Sequence, residues 1–150
     1  MTFTVQNIIS SIALYIQTVF GTIPVYDSPT VDAEYPCFYV FVINPTISDD
    51  IIPYGKRFIS LDVIYVQQRN VADANDDIYR IGETLDETFD MIPYTDGEDT
   101  IYLHTYERSW TVEDQELHYK LTLRQRVTLP RSGTRMKTME EANVEVTENT

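Results

Sequence analysis

The chain has 150 residues, of which 43% are hydrophobic, enough for one domain with a single core and little room for a second. Its formal net charge of −13 argues against tight nucleic-acid binding, because affinity for phosphate backbones comes mainly from Lys and Arg displacing counterions. A single cysteine excludes an internal disulfide, no Lys or Arg precedes Lys56 to flank a signal peptide, and no apolar run reaches the roughly 20 residues of a membrane span, so the reading is a soluble intracellular product.

Val5, Ile8, Ile9, Ile12, Ala13, Ile16, Val19 and Phe20 recur at three- and four-residue steps, which predicts a helix from about Thr4 to Phe20, stopped by Gly21. Its polar face has no Lys or Arg, so packing on a sheet explains the apolar stripe better than a membrane anchor does. Thr22–Tyr26 reads as a short strand with Pro24 best placed at a sheet edge, and Asp27–Pro36 as a loop. Cys37–Ile43 and Arg57–Val66 read as two further strands, rich in β-branched and aromatic residues and bounded by turn residues. The first is apolar on both parities, so both its faces are expected to be covered; Cys37, within it, reads as a buried, inert thiol. In the second, Ile59, Leu61, Val63 and Tyr65 face the core, while Ser60 and Asp62 fall between Phe58 and Ile64 on a wetter face. The connection Asn44–Gly55 is too long for a tight hairpin and places Ile47, Ile51, Ile52 and Tyr54 in a loop suited to contacting a partner.

Asp73–Ile92 reads as the second helix, with Asp73 as N-cap, Asp76 and Asp77 in the first turn, and Pro93 ending it. Ile78, Ile81, Leu85, Phe89 and Ile92 form its buried stripe, and Gly82 on the same side permits close approach to the sheet at roughly 1 kcal/mol of helix propensity. On the outer face Glu83 with Glu87 and Asp86 with Asp90 are like-charge pairs, each costing about 0.2–0.5 kcal/mol, so these acids either solvate the protein or await a basic partner. A last hairpin is expected with Val112–Gln115 as its loop, Thr111 opposite Glu116, and Glu107 opposite Lys120. That register puts Trp110, Tyr106, Leu117 and Leu121 on one face, and Ile101 and Leu103 beside Arg124 and Arg126 on the other, a mixture suited to a protein contact. After Leu129 large apolar side chains become sparse, and residues 130–150 read as a polar C-terminal arm held by a neighbouring subunit.

The Pro36–Cys37 step into an aromatic strand, the connection ending in Tyr54-Gly55-Lys56-Arg57, and the strand closing on Asp62-Val63-Ile64-Tyr65-Val66 resemble the tail terminator proteins of long-tailed bacteriophages. Helix, hairpin, acidic helix and closing hairpin follow one another in that order from about Thr4 to Leu129. The resemblance implies a single α+β domain over residues 1–129: a mixed or antiparallel sheet of about four to five strands with two helices packed on it, followed by an extended arm over 130–150. It also implies a virion protein of the tail or neck that forms a ring, in the family usually sixfold, caps the tail tube, ends tail growth and joins tail to head. Its partners would be other copies of itself, the tail tube protein, head–tail connector proteins and, in a contractile tail, the sheath.

Chemistry is sparse in the residues themselves. In the expected register His104 and His118 point to opposite faces, and a single distant cysteine completes no zinc set. Asp73, Asn75 and Asp77 imitate the start of a calcium loop, but Ile78 stands at the sixth position and Thr84 at the twelfth, so helix capping accounts for them better. No cofactor site and no catalytic set emerge, which favours a structural role. The surfaces singled out for subunit contact are Glu83, Asp86, Glu87 and Asp90 against Ile101, Leu103, Lys120, Arg124 and Arg126, with Ile47, Ile51, Ile52 and Tyr54 toward the tail. The competing readings are a head-completion or connector protein of the same particle, and a small-molecule binding module with a pocket between the aromatic hairpins.

Overall fold

The computed structural model describes residues 3–49, 51, 54–67, 74–97 and 99–128. Helix α1 (Val5–Phe20) starts at Thr4, whose hydroxyl accepts the Asn7 amide at 3.2 Å, and stops at Gly21, where φ of 86° suits a residue without Cβ. Then come β1 (Val25–Tyr26), β2 (Cys37–Val42), β3 (Thr46–Asp49), β4 (Tyr54–Val66), α2 (Ala74–Thr88), β5 (Met91–Asp96), β6 (Asp99–Glu113) and β7 (Glu116–Thr128). Among the described residues the strands form one mixed sheet in the order β1-β2-β4-β7-β6-β5, with β3 also paired to β4.

The sheet therefore has seven strands where four to five were expected, and the two strands beyond the five read from the sequence have separate sources. The connection after Ile43 is not a loop: β3 continues alongside β4 beyond a break at Ile43–Pro45, so β2 and β3 together line one long edge of β4. Ile92 and Pro93 leave the second helix, which ends at Thr88, and enter β5, which pairs with β6 through Ile92 opposite Leu103. Proline is tolerated there because β5 is an edge strand. The short strand expected within Thr22–Tyr26 is β1, an edge strand parallel to β2.

Both helices pack on one face of the sheet. Ile8, Ile12 and Ile16 of α1 and Ile78, Ile81, Leu85 and Phe89 of α2 join Phe38, Val40, Ile59, Leu61, Val63, Tyr65, Leu117, Tyr119, Leu121 and Leu123 in a single buried cluster. Fully burying side chains of this size contributes roughly 1.5–3 kcal/mol each. Ile8, Ile12 and Ile16 of the first expected stripe, the stripe of the second helix and the odd parity of β4 are thus in the core, while Ile9, Ala13 and Val19 of the first stripe stay half-buried outside it. On the opposite parity of β2, Tyr39 and Phe41 stack at 5.8 Å and stay half-buried, while Cys37 is fully buried; that face is less covered than its apolar composition implied. With no basic residue in its last turn, α2 is closed by Tyr15, whose hydroxyl donates to the Thr88 carbonyl at 2.7 Å.

The last hairpin differs in register from the expectation. Asp114 and Gln115 alone make the turn, both at positive φ (50° and 64°), so Glu113 opposes Glu116, Thr111 opposes His118 and Ser109 opposes Lys120. Between Ser109 and Tyr106 a bulge with Glu107 at φ 54° shifts the pairing by one residue, so that Tyr106 opposes Thr122 and Thr105 opposes Leu123. The two-residue slip keeps Trp110 on the same face as Leu117 and Leu121, as expected. The bulge reverses everything before it: Tyr106 turns to the face away from the helices, and Leu103 turns into the core.

Candidate subunit-interface surfaces

Helix α2 is held on the sheet by contacts that its sequence announces only in part. A Cβ on Gly82 would stand 3.0 Å from three atoms of the Trp110 indole, so the missing side chain is what lets the ring lie against the helix. Beside it Asp86 accepts the Tyr119 hydroxyl at 2.8 Å and the Trp110 indole N–H at 3.0 Å, while its backbone carbonyl accepts Arg108 at 2.8 Å. Burial, followed by the neighbouring Asp86 carboxylate, pushes the Tyr119 phenol well above its ordinary value. Asp86, read from the sequence as an outward acid, is thus committed within the chain. Glu83, Glu87 and Asp90 are exposed, and the Asp90 carbonyl accepts the Thr105 amide at 3.1 Å in the turn after the helix.

The face of the sheet away from the helices carries the opposite charge. Lys56, Phe58, Ser60, Asp62 and Ile64 of β4 stand opposite Arg126, Arg124, Thr122, Lys120 and His118 of β7. Lys120, Arg124 and Arg126 are exposed there, as expected. Arg124 lies 4.4 Å over the Tyr106 ring and 3.6 Å from Glu107, and Arg126 lies 4.2 Å over the Tyr54 ring. Deeper in the same face His118 sits between two carboxylates, Nδ1 3.1 Å from Asp62 and Nε2 3.4 Å from Glu116. The alternation of Asp62 and Ile64 with the core residues of β4 was the one signal for this cluster, since it fixes which side Asp62 must take. His104 shares the parity of Tyr106 and so points to this face too, correcting the opposite-face expectation. It belongs with a row of β7 six positions from His118, roughly 20 Å away along the strand, and the two form no pair.

Leu103 does not belong to this surface. It is 3% exposed in the core, and Ile101 packs against the same core, because the bulge in β6 puts both on the helix side of the sheet. The aromatic neighbour of Arg124 is instead Tyr106; Tyr102, on the same parity of β6 and paired with Pro93 of β5, is 64% exposed. At the far end of the β3–β4 hairpin Ile47, Ile51 and Tyr54 are exposed, Ile51 at 74%. Ile52, Asp73 and the arm 130–150 lie outside the described residues.

A cleft of 440 Å³ opens between the end of α1 and α2, lined by Phe20, Ile23, Pro36, Tyr65, Asp77 and Arg80 among others. Its polar wall is consumed internally: Asp77 accepts the Tyr65 hydroxyl at 2.7 Å, Arg80 at 2.5 Å and the Gln67 amide. Among the described residues no group of three or more His, Cys, Asp or Glu side chains is placed to hold a metal ion, and no helix is long and apolar enough to cross a membrane.

The chain is thus one α+β domain with both helices on one side of a curled sheet and with a row of exposed basic residues on the other. The sequence profile of the phage tail terminator protein family matches residues 7–134, most of the chain, and the chain belongs to that family. It is therefore a structural phage tail protein and a virion component. Comparison with curated protein sequences gives no match.

Proposed function

We propose that the chain assembles as a ring, six copies in the form usual for the family, which caps the tail tube, ends its growth and joins tail to head. The observation that carries this reading is the separation of charge: Glu83, Glu87 and Asp90 lie on the helix side of the domain and Lys120, Arg124 and Arg126 on the bare side of the sheet. One copy cannot bring these surfaces together, whereas a head-to-tail neighbour can, and head-to-tail contacts close into rings when the rotation permits. Exposed ion pairs contribute about 0.2–1 kcal/mol each, so they select orientation. The affinity comes more from Tyr102 and Tyr106 than from Ile101 and Leu103, which the core has claimed. The tip of the β3–β4 hairpin, with Ile51, Ile52 and Tyr54, faces the tube, and the arm 130–150 reaches a neighbouring copy. Connector proteins and, in a contractile tail, the sheath are the remaining partners. The cleft beside Asp77 gives a small-molecule binding module little support, since its polar groups are already paired.

Replacing Glu83 and Glu87 with Lys should abolish rings in sedimentation, and adding Arg124→Glu with Arg126→Glu should restore part of them. Rings that survive the first change, or fail to return after the second, would reject this pairing.

A further inference from the structure

The free edge of the β2–β3 line is a sheet border that the chain's described residues leave largely without a strand partner. β5 is covered by α1: the Thr95 amide donates to the Ser11 hydroxyl at 3.1 Å, and Pro93 has no amide to offer. β1 covers β2 only at Phe38 and Tyr39. Beyond it β3 has β4 as its strand partner, all four of its residues are exposed, and alternate backbone groups of an edge strand point outward from the sheet. Ile43 and Ile47, 53% and 46% exposed, flank this edge. Open edges of this kind accept an added strand.

The chain supplies a strand that matches it. In the arm, Asn143-Val144-Glu145-Val146-Thr147 alternates apolar and polar residues, the pattern of a half-buried strand. The two faces of β3 alternate in the same sense. Ile47 lies on the parity of Arg57 and Ile59, whereas Thr46 and Ser48 share the basic face with Lys56 and, one strand further, Arg126. A strand laid along β3 can place Val144 and Val146 beside Ile47 and direct Glu145 toward Lys56 and Arg126.

We infer that the β3 edge of one copy is completed by residues 143–147 of a second copy. This rests on the ring reading above. Where the chain leaves the domain argues for a second copy. β7 ends at Thr128, opposite Tyr54, running outward toward the hairpin tip. Folding back onto its own β3 requires crossing only about 10–15 Å of sheet, two or three strand spacings. The intervening residues 129–142 can span up to roughly 45–50 Å, a reach suited to an adjacent subunit.

The test uses the full-length protein in two forms, one with Ser48→Cys and one with Glu145→Cys, mixed and treated with a short bismaleimide cross-linker; Cys37 is fully buried and serves as an internal control. A covalent product joining two chains is expected only in the mixture. It should fall at least ten-fold when Val144→Pro and Val146→Pro are added to the Glu145→Cys chain, because proline removes the ladder amides. Equal yields with and without the prolines overturn the docking, as does linkage only within a single chain carrying both cysteines. Native mass separates the two readings: rings that persist with no cross-link overturn the docking alone, and a monomeric wild type overturns docking and ring together.

Discussion

Asp77 illustrates how a residue acquires its role from partners distant in sequence. In the chain it stands among acids at the start of a helix, where capping and dipole arguments account for it. In the fold it receives hydrogen bonds from Tyr65, Gln67 and Arg80. Burial acts to raise its carboxyl, but the Tyr65 and Arg80 hydrogen bonds outweigh that and hold it below the ordinary range. A carboxyl depressed in the folded state stabilises it fully above the unfolded value, about 3.9, and the gain disappears as pH falls through the folded value. Asp77→Asn should therefore lower stability by about 1 kcal/mol at pH 7, a figure reduced for partial hydration, with the gap from wild type closing as pH falls through the depressed folded value. Urea midpoints at pH 7 and at successively more acid pH check it; a gap that stays constant would mean that charge is not the cause.

At the scale of the element, the turn of the last hairpin decides what the rest of β6 presents. Two-residue turns with both residues at positive φ usually advertise themselves as Asn-Gly or Asp-Gly, and Asp114-Gln115 lacks the glycine. The sequence therefore favoured a four-residue loop, and the register slipped by two. Gln115 at φ 64° is in the left-handed region, which costs an L-residue roughly 1–2 kcal/mol. Gln115→Gly should raise stability by about 0.5–1 kcal/mol after the extra entropy of the unfolded glycine is deducted, measured as an increased urea midpoint with unchanged slope. A lowered midpoint would show that the glutamine side chain has a compensating contact. The bulge further along β6 matters more to the surface, because a one-residue shift exchanges the two faces and carries Leu103 from the basic surface into the core.

For the whole molecule the decisive feature is how few cations serve a chain of net charge −13, and where they lie. Lys56, Lys120, Arg124 and Arg126 are grouped on the bare side of the sheet, while α2 turns Glu83 and Glu87 the other way. A ring joined through these surfaces should loosen with salt, since exposed charges are screened beyond roughly 8–10 Å at 0.1–0.15 M and about 3 Å at 1 M. Raising sodium chloride from 0.05 to 0.5 M should increase the protein concentration needed for half-assembly several-fold while leaving the urea midpoint of the subunit nearly unchanged. Assembly that ignores salt, read by sedimentation, would point to an apolar interface elsewhere.

Local patterning determined the elements whose signal is periodic. The stripes of both helices, the core parity of Ile59 to Tyr65, the stop at Gly21 and the close approach at Gly82 all follow from residue spacing, because an amphipathic segment has only one face it can bury. The resemblance in the first hairpin and the order of elements also sufficed for the family. Tertiary structure alone decided the features that depend on pairing between distant segments. These are the extension of the first hairpin through β3, the transfer of Ile92 and Pro93 from helix to edge strand, and the bulge that sends Leu103 inward. Strand register is a relation between two segments, and a single bulge reverses it without leaving a period in the sequence. The helical stripes and the shared face of Lys120, Arg124 and Arg126 could be read from the chain, but which residues of β6 flank those charges could not.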